Sequence, residues 1–194
     1  RENNIPEWFI ESCKKISYLF PRAHAVAYVM MAFRIAWFKV YHPLAFYAAY
    51  FSIRAKAFDL RIMTGDLNTQ LKEFNRIKAL DRGASPKEKD LMSALEVSME
   101  MYQRGYRFIN VDIQHSGARR FSIKDGALLP PFLAIDSLGE TVADAIVEER
   151  ETKPFTSLKD LQRRCKVSAT IIETMKELKC CGDLPEDEQM SLFG

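Results

Sequence analysis

Cationic and aromatic side chains occur together near the start of a long apolar segment. Arg22 precedes His24 and Tyr28, and Lys39 follows near the end of the same segment. Because successive residues of an α-helix turn by about 100°, a helix over residues 23–41 places the His, Tyr and Lys on one stripe. Such groups beside a helix N-terminus could bind the triphosphate and the base of a nucleotide. The residues alone favour the simpler alternative, in which the stripe is core and His24 is structural.

A tight turn followed by a helix is predicted over residues 135–147. Gly139 is expected to turn the backbone where a Cβ would be strained. The free N–H groups of the turn and the positive end of the helix would then face outward and suit a phosphate oxygen. Such contact reads the sugar–phosphate backbone and not the base sequence. An ordinary helical hairpin is the alternative. The candidate binding residues are Ser137, Leu138, Gly139, Glu140 and Thr141.

Residues 158–178 are predicted to form a second, more degenerate copy of this unit. Lys166 and Ser168 occupy its turn, and Ser168 can cap the helix that follows. Both copies resemble the helix-hairpin-helix motif, although Ser137 stands where that motif usually has Gly. Since two such units commonly pack as one pseudo-symmetric domain, a tandem helix-hairpin-helix domain is expected over residues 126–184.

The last ten residues of the chain contain a short sequence that resembles a partner-binding peptide. A proline and acidic residues over 185–188 predict a flexible tail. The residues after them resemble the motif by which bacterial proteins bind the sliding clamp. Leu192 and Phe193 would enter an apolar pocket while the Gln189 amide forms hydrogen bonds. Alternatively, the two apolar residues fold back onto their own domain. The candidate clamp-binding residues are Gln189, Met190, Ser191, Leu192 and Phe193.

Composition excludes several classes of protein. The 194 residues carry a formal net charge of +2, so any nucleic-acid affinity must come from local clustering. The longest apolar run, residues 25–33, is shorter than a membrane span, and no export leader precedes it. We therefore expect a cytoplasmic chain with no membrane partner, which starts partway through a larger protein. No zinc site or disulfide framework is expected from the four cysteines, Cys13, Cys165, Cys180 and Cys181.

Helix signals dominate the first 105 residues. Ser85 and Glu88 have the spacing of a capping box, with Pro86 at the first helical position. Gly105 ends the helix that they begin. Other helices are predicted over residues 7–20, 23–41, 44–57 and from Asp66 to about residue 80.

The pattern changes after residue 105. Two short strand-like segments lie around residues 108–111 and 121–123, with a turn predicted at residues 115–117 between them. Helical signals resume at Pro130. The predicted fold class is therefore mainly α, with a short β segment at the junction of two helical regions. The predicted divisions are residues 1–105, 106–125, 126–184 and a tail over 185–194.

The segment from Tyr18 to Pro43, which carries Arg22, His24 and Tyr28, closely resembles the fingers region of the C-family bacterial replicative polymerases. The closest resemblance is to the PolC-type DNA polymerase III. In that family, fingers, tandem helix-hairpin-helix domain and clamp peptide follow one another in the order found here. The resemblance therefore covers essentially the whole chain. It implies a helical fingers subdomain over residues 1–105.

The resemblance also implies a function. The parent protein would be a DNA-directed DNA polymerase that uses two Mg²⁺ ions, held by palm aspartates outside this chain. No catalytic residue and no metal site are therefore expected here. The implied partners are primer–template duplex DNA, an incoming dNTP and the sliding clamp. The implied nucleotide-facing residues are Arg22, His24, Tyr28 and Lys39. Two alternatives stay open: a non-catalytic helix-hairpin-helix adaptor that recruits a partner to the clamp, and a repair or recombination scaffold.

Overall fold

The computed structural model describes residues 3–16 and 22–187. Their contacts divide the chain into two compact units, residues 1–42 and residues 43–194. The described part is mainly helical and contains one small two-stranded sheet. This confirms the predicted fold class.

The first unit contains helices α1 (Glu7–Lys14) and α2 (Arg22–Tyr41). The long predicted helix is confirmed. Helix α1 ends earlier than predicted, and residues 17–21 lie outside the described part. Apolar residues occur on all sides of α2, yet none of its side chains is buried among the described residues. A helix that is apolar all round is typical of the core of a larger body or of a membrane span.

By length and composition alone, α2 is long and apolar enough to cross a membrane. The shorter run over residues 25–33 did not indicate this, because the helix continues past Arg34 with further apolar residues. The core helix of a soluble protein meets the same criterion. The absence of a membrane partner therefore stays a prediction.

The second unit begins with α3 (Pro43–Ala49), which continues into a π-helical turn at Tyr50–Arg54. Pro43 lies at the first helical position, as predicted. A further helix of four residues, Leu60–Met63, forms barely one turn and was not predicted. Three helices complete this half of the unit: α4 (Leu60–Met63), α5 (Leu67–Ala79) and α6 (Pro86–Gln103).

Side-chain caps determine where these helices begin. The Asp66 carboxylate accepts a hydrogen bond from the Thr69 amide at 2.7 Å, which confirms the predicted cap of α5. At α6, the Ser85 amide donates to the Glu88 carboxylate at 2.9 Å, and the Glu88 amide donates to the Ser85 hydroxyl at 3.3 Å. The predicted capping box is thus confirmed. Gly105, with φ of 86°, follows the end of the helix.

A first hydrophobic core lies between α3, the π-helical turn, α5 and α6. The buried Tyr47 hydroxyl donates to Glu100 at 2.7 Å, and burial raises the pKa of this phenol above its ordinary value. The buried Ser98 hydroxyl donates to Gln70 at 2.6 Å. The main members of this core are Tyr47, Phe51, Met63, Ile77, Leu95, Met101, Phe108 and Leu128.

A β-hairpin follows. Strand β1 (Ser122–Lys124) pairs antiparallel with β2 (Ala127–Leu129). Asp125 and Gly126 connect them and have φ values of 50° and 74°. Two positive φ values in a two-residue loop are typical of a type I′ turn. The predicted turn between strands at residues 115–117 is therefore wrong, because the partner of the second strand-like segment lies downstream of it.

Residues 106–118 form a compact loop, in which Phe108 makes an isolated parallel bridge to Leu128 of β2. The Ser116 hydroxyl accepts a hydrogen bond from the Asp112 amide at 3.0 Å and donates to the Pro130 carbonyl at 2.8 Å. The Arg150 guanidinium donates to the carbonyls of Ile113 and Ser116 at 2.8 and 3.0 Å. The loop therefore has a fixed shape without being a strand.

The last part of the unit surrounds a second hydrophobic core. Leu60 of α4 belongs to this core, so the helices of both halves share packing. The boundary between the two compact units lies between residues 42 and 43. The predicted divisions at residues 105 and 125 fall within the second unit and stay predictions. The elements here are a 3₁₀ turn (Phe132–Ala134), α7 (Glu140–Thr152), α8 (Leu158–Cys165) and α9 (Ala169–Glu177).

The first residues of the predicted tail are bonded to this core. The Leu158 amide donates to the Pro185 carbonyl at 2.9 Å, and the Lys159 amide donates to the Glu186 carbonyl at 3.2 Å. Lys159 also pairs with Asp187. The first turn of α8 thus uses the carbonyls of Pro185 and Glu186 to satisfy its amides. The flexibility of the tail over residues 185–194 stays a prediction.

Candidate nucleic-acid interface

The first hairpin, residues 135–139, is a tight turn that leads into α7. The Leu138 amide donates to the Ile135 carbonyl at 3.2 Å. Ser137 has φ of 65°, in the left-handed region. Gly139 has φ of −77° and ψ of 158°, and a Cβ built there would meet nothing within 4 Å. The expectation that Gly139 relieves backbone strain is wrong. The strained position is Ser137, where the motif usually has Gly.

The N-terminus of α7 is open. Gly139 is its N-cap and supplies no side-chain hydrogen bond. Among the described residues, no acceptor is bonded to the amides of Gly139, Glu140 or Thr141. By contrast, α8 and α9 are capped by the hydroxyls of Ser157 and Ser168. Free amides at the positive end of a helix form a site for an anion, and the absence of a side chain at residue 139 leaves room for it.

Arg119 neutralises the carboxylates beside this site. Its guanidinium bonds to Glu140 Oε2 at 2.6 Å and to Asp144 Oδ1 at 3.0 Å. The hydrogen bond from Arg119 lowers the pKa of the Asp144 carboxyl. Two acidic groups near the first turn of α7 would otherwise repel a phosphate. Sequence reasoning missed Arg119, since its partners lie 21 and 25 residues away and leave no local signal.

The second hairpin repeats the backbone of the first. Lys166 has φ of 55°, at the position equivalent to Ser137. Val167 is buried, and the Ser168 hydroxyl accepts a hydrogen bond from the Ile171 amide at 3.3 Å. The predicted cap of α9 is therefore confirmed. Ser168 occupies the amide of Ile171, as the Gly139 carbonyl occupies that of Val142, so the amides of residues 168–170 match those of residues 139–141 in having no acceptor among the described residues.

The predicted binding residues divide by exposure. Leu138 is only 5% exposed and packs in the second core, so it can offer its backbone but not its side chain. The others are exposed on the two hairpins: Ser137, Gly139, Glu140, Thr141, Lys166 and Ser168.

The predicted nucleotide-facing residues lie on α2, in the first unit. Arg22 is the first residue of that helix. The rings of His24 and Tyr28 meet edge to face, with centroids 4.5 Å apart. Lys39 lies fifteen residues beyond His24, which corresponds to roughly 22 Å along a helix. The structure thus brings the His and Tyr together and leaves the Lys far from them.

Two further predictions concern sites for peptides and metals. The clamp-binding candidates, residues 189–193, lie outside the described part. Within residues 3–16 and 22–187, no three His, Cys, Asp or Glu side chains come together to hold a metal ion. The site of the Mg²⁺ ions that the resemblance implies stays a prediction. The four cysteines are free, and burial raises the pKa of Cys165 to about 11.

Comparisons with known proteins cover the whole chain. A family model described as a helix-hairpin-helix motif matches residues 105–190. The chain is 49% identical over 193 residues to a protein of Caldanaerobacter subterraneus subsp. tengcongensis called DNA polymerase III PolC-type, and covers 14% of that protein. It is 48% identical over 195 residues to a protein of the same name from Streptococcus pyogenes serotype M12 (strain MGAS2096), and covers 13% of it. Both alignments include 100% of this chain. The chain thus spans 13–14% of the length of these curated relatives.

Proposed function

The chain belongs over its whole length to the PolC-type DNA polymerase III family, and we propose that it is the part of a bacterial replicative polymerase that grips duplex DNA by its backbone. The observation that carries this proposal is the open N-terminus of α7 at the first hairpin. The amides of residues 139–141 point to no acceptor of their own, and Gly139 leaves the approach to them clear. A phosphate oxygen supplies the missing acceptor.

The binding step needs only groups of this chain. A phosphate of the DNA strand accepts hydrogen bonds from the amides that begin α7, where the helix dipole favours negative charge. Arg119 holds Glu140 and Asp144, so the approaching phosphate meets less repulsion. The second hairpin contributes Lys166 and the residues around Ser168. Because none of these contacts reaches a base, binding is independent of sequence.

We propose the remaining roles by analogy with the family. The parent protein is a DNA-directed DNA polymerase, and its Mg²⁺ ions and catalytic aspartates lie outside this segment. Arg22, His24, Tyr28 and Lys39 face the incoming nucleotide from the fingers. Residues 189–193 bind the sliding clamp. The helix-hairpin-helix adaptor is the alternative, and the matches that include the whole of α1 and α2 favour the polymerase.

Substitution of Gly139 tests the grip on DNA. In the full-length polymerase, Gly139→Val should fold normally, because its φ suits valine and the added side chain meets no neighbour. The valine should nevertheless reduce affinity for random-sequence duplex, since it occupies the approach to the amides. The measurement is fluorescence anisotropy with labelled duplex.

The control is Ser137→Gly, which changes the same turn without blocking the amides and should retain duplex affinity. Circular dichroism and urea unfolding establish that both variants fold. Wild-type duplex affinity in a folded Gly139→Val protein would mean that the hairpin has only a structural role.

A further inference from the structure

A cleft of about 220 Å³ opens in the second unit between the π-helical turn and the 3₁₀ turn that precedes the first hairpin. Two of the residues that line it are cationic, Lys56 and Arg119, and none of them is acidic. The residues that matter for its chemistry are Phe51, Lys56, Phe58, Arg119, Phe121 and Leu133.

The floor of the cleft is aromatic and held in place. The ring of Phe58 meets Phe121 edge to face at a centroid distance of 5.0 Å, and Phe51 packs against both rings. The Phe121 amide donates to the Ser52 hydroxyl at 2.9 Å, which ties this floor to the π-helical turn. Single π-helical turns occur frequently at functional sites. The floor therefore offers a fixed apolar surface beneath a cationic rim.

The cleft adjoins the first hairpin. Arg119, on its rim, bonds to Glu140 at 2.6 Å and to Asp144 at 3.0 Å. Glu140 carries one of the open amides of α7. Leu133 and Ala134, which also line the cleft, immediately precede the hairpin. Arg119 thus contacts both the cleft and the first turns of α7, where the proposed phosphate site lies.

We propose that this cleft is a second contact site for the sugar–phosphate backbone of the strand that the first hairpin grips. Lys56 binds a neighbouring phosphate, and the aromatic floor lies against the deoxyribose. Lys56 is exposed, and no ion pair among the described residues involves it, whereas Arg119 is held by two carboxylates. The inference rests on the proposed function, because the continuity of one strand between the two sites is what places the phosphate at Lys56.

The test is the salt dependence of duplex binding by the full-length polymerase carrying Lys56→Ala. Loss of one phosphate contact should weaken binding of a random-sequence duplex about tenfold, as expected for one charge-assisted hydrogen bond. It should also reduce the slope of log affinity against log salt by about 0.9. Lys56→Arg should retain most of the affinity, because the positive charge remains.

Lys87→Ala, a change of the same kind on the exposed first turn of α6, is the matched control and should leave the slope unaltered. An unaltered slope in Lys56→Ala would overturn the inference, and so would a loss seen with a single-stranded oligonucleotide but not with the duplex. The two variants distinguish failure of the cleft proposal from failure of the proposed DNA binding by the first hairpin. If Gly139→Val weakens duplex binding and Lys56→Ala does not, only the cleft is misassigned; if neither does, the grip itself is wrong.

Discussion

At the scale of single residues, Ser137 and Gly139 exchange the roles that their types suggest. Ser137 adopts the left-handed conformation, which costs a residue with a Cβ roughly 1–2 kcal/mol. Gly139 adopts an ordinary extended conformation and leaves open space. The sequence located the turn correctly, because a glycine after an apolar residue is typical of one. The sequence could not show that Ser137, and not Gly139, has the positive φ, because glycine adopts positive and negative φ about equally readily.

Replacement of Ser137 by glycine should therefore stabilise the protein. We expect Ser137→Gly to raise the free energy of unfolding by roughly 0.5–1 kcal/mol, the strain relieved being partly offset by the greater entropy of glycine in the unfolded chain. Urea denaturation at neutral pH measures the change. Ser137→Ala keeps a Cβ in the strained conformation and should show no such gain. An equal gain in both variants would point to loss of the hydroxyl, not to relief of strain.

At the scale of elements, helix starts were predictable and strand pairing was not. Asp66 and Ser85 each cap their helix through a residue three positions away, so the signal is local. Strand-like composition does not identify a partner. The Asp125-Gly126 dipeptide, which favours a type I′ hairpin, is the local signal for the turn that the structure has. The contacts of Arg119 with α7 were also beyond sequence reasoning, because they join distant positions.

The capping box of α6 should make a pH-dependent contribution to stability. Hydrogen bonds from the Ser85 amide, the Ser85 hydroxyl and Arg76 lower the pKa of Glu88 to about 2. Since the unfolded value is about 4.3, the stabilisation is fully present above that pH and is lost as pH falls towards 2. Ser85→Ala should cost about 1 kcal/mol at neutral pH. That cost should shrink as the buffer is acidified through this window.

The measurement is urea denaturation of wild type and variant at neutral pH and in acid. Ser93→Ala provides the control, because Ser93 is an exposed serine further along the same helix and caps nothing. A Ser85→Ala cost that is the same in acid as at neutral pH would show that Glu88 does not contribute through its charge.

At the scale of the whole molecule, the apolar surface of α2 is the feature that the described residues do not explain by themselves. The chain spans 13–14% of the length of its curated relatives. Composition predicted this helix, because apolar residues occur on all of its sides. The two ends of α8 also have separate roles. Its C-terminal end meets the second hairpin, and its N-terminal end holds residues 185 and 186, about 12 Å away.

The clamp peptide should act independently of the grip on DNA. In the full-length polymerase, Leu192→Ala combined with Phe193→Ala should abolish clamp-dependent processivity, because each side chain contributes roughly 1.5–3 kcal/mol when fully buried in a partner's groove. Distributive synthesis on short primed templates should remain. Primer extension with and without the clamp measures both. Met190→Leu conserves the apolar character of the peptide and should stay processive. Unchanged processivity in the double variant would mean that the tether lies elsewhere.

The bonds that hold residues 185–187 against α8 also limit how far the residues after them can reach. Leu192 follows Asp187 by five residues, and a fully extended chain covers at most about 3.6 Å per residue. If residues 189–193 bind the clamp as proposed, the clamp groove lies within roughly 18 Å of Asp187 while Asp187 is paired with Lys159. Such a short connection would keep the effective concentration of the clamp high. It would also leave little freedom in the position of the clamp relative to the hairpins. A clamp that encircles the gripped duplex next to this domain meets that requirement, whereas one bound several helical turns away does not.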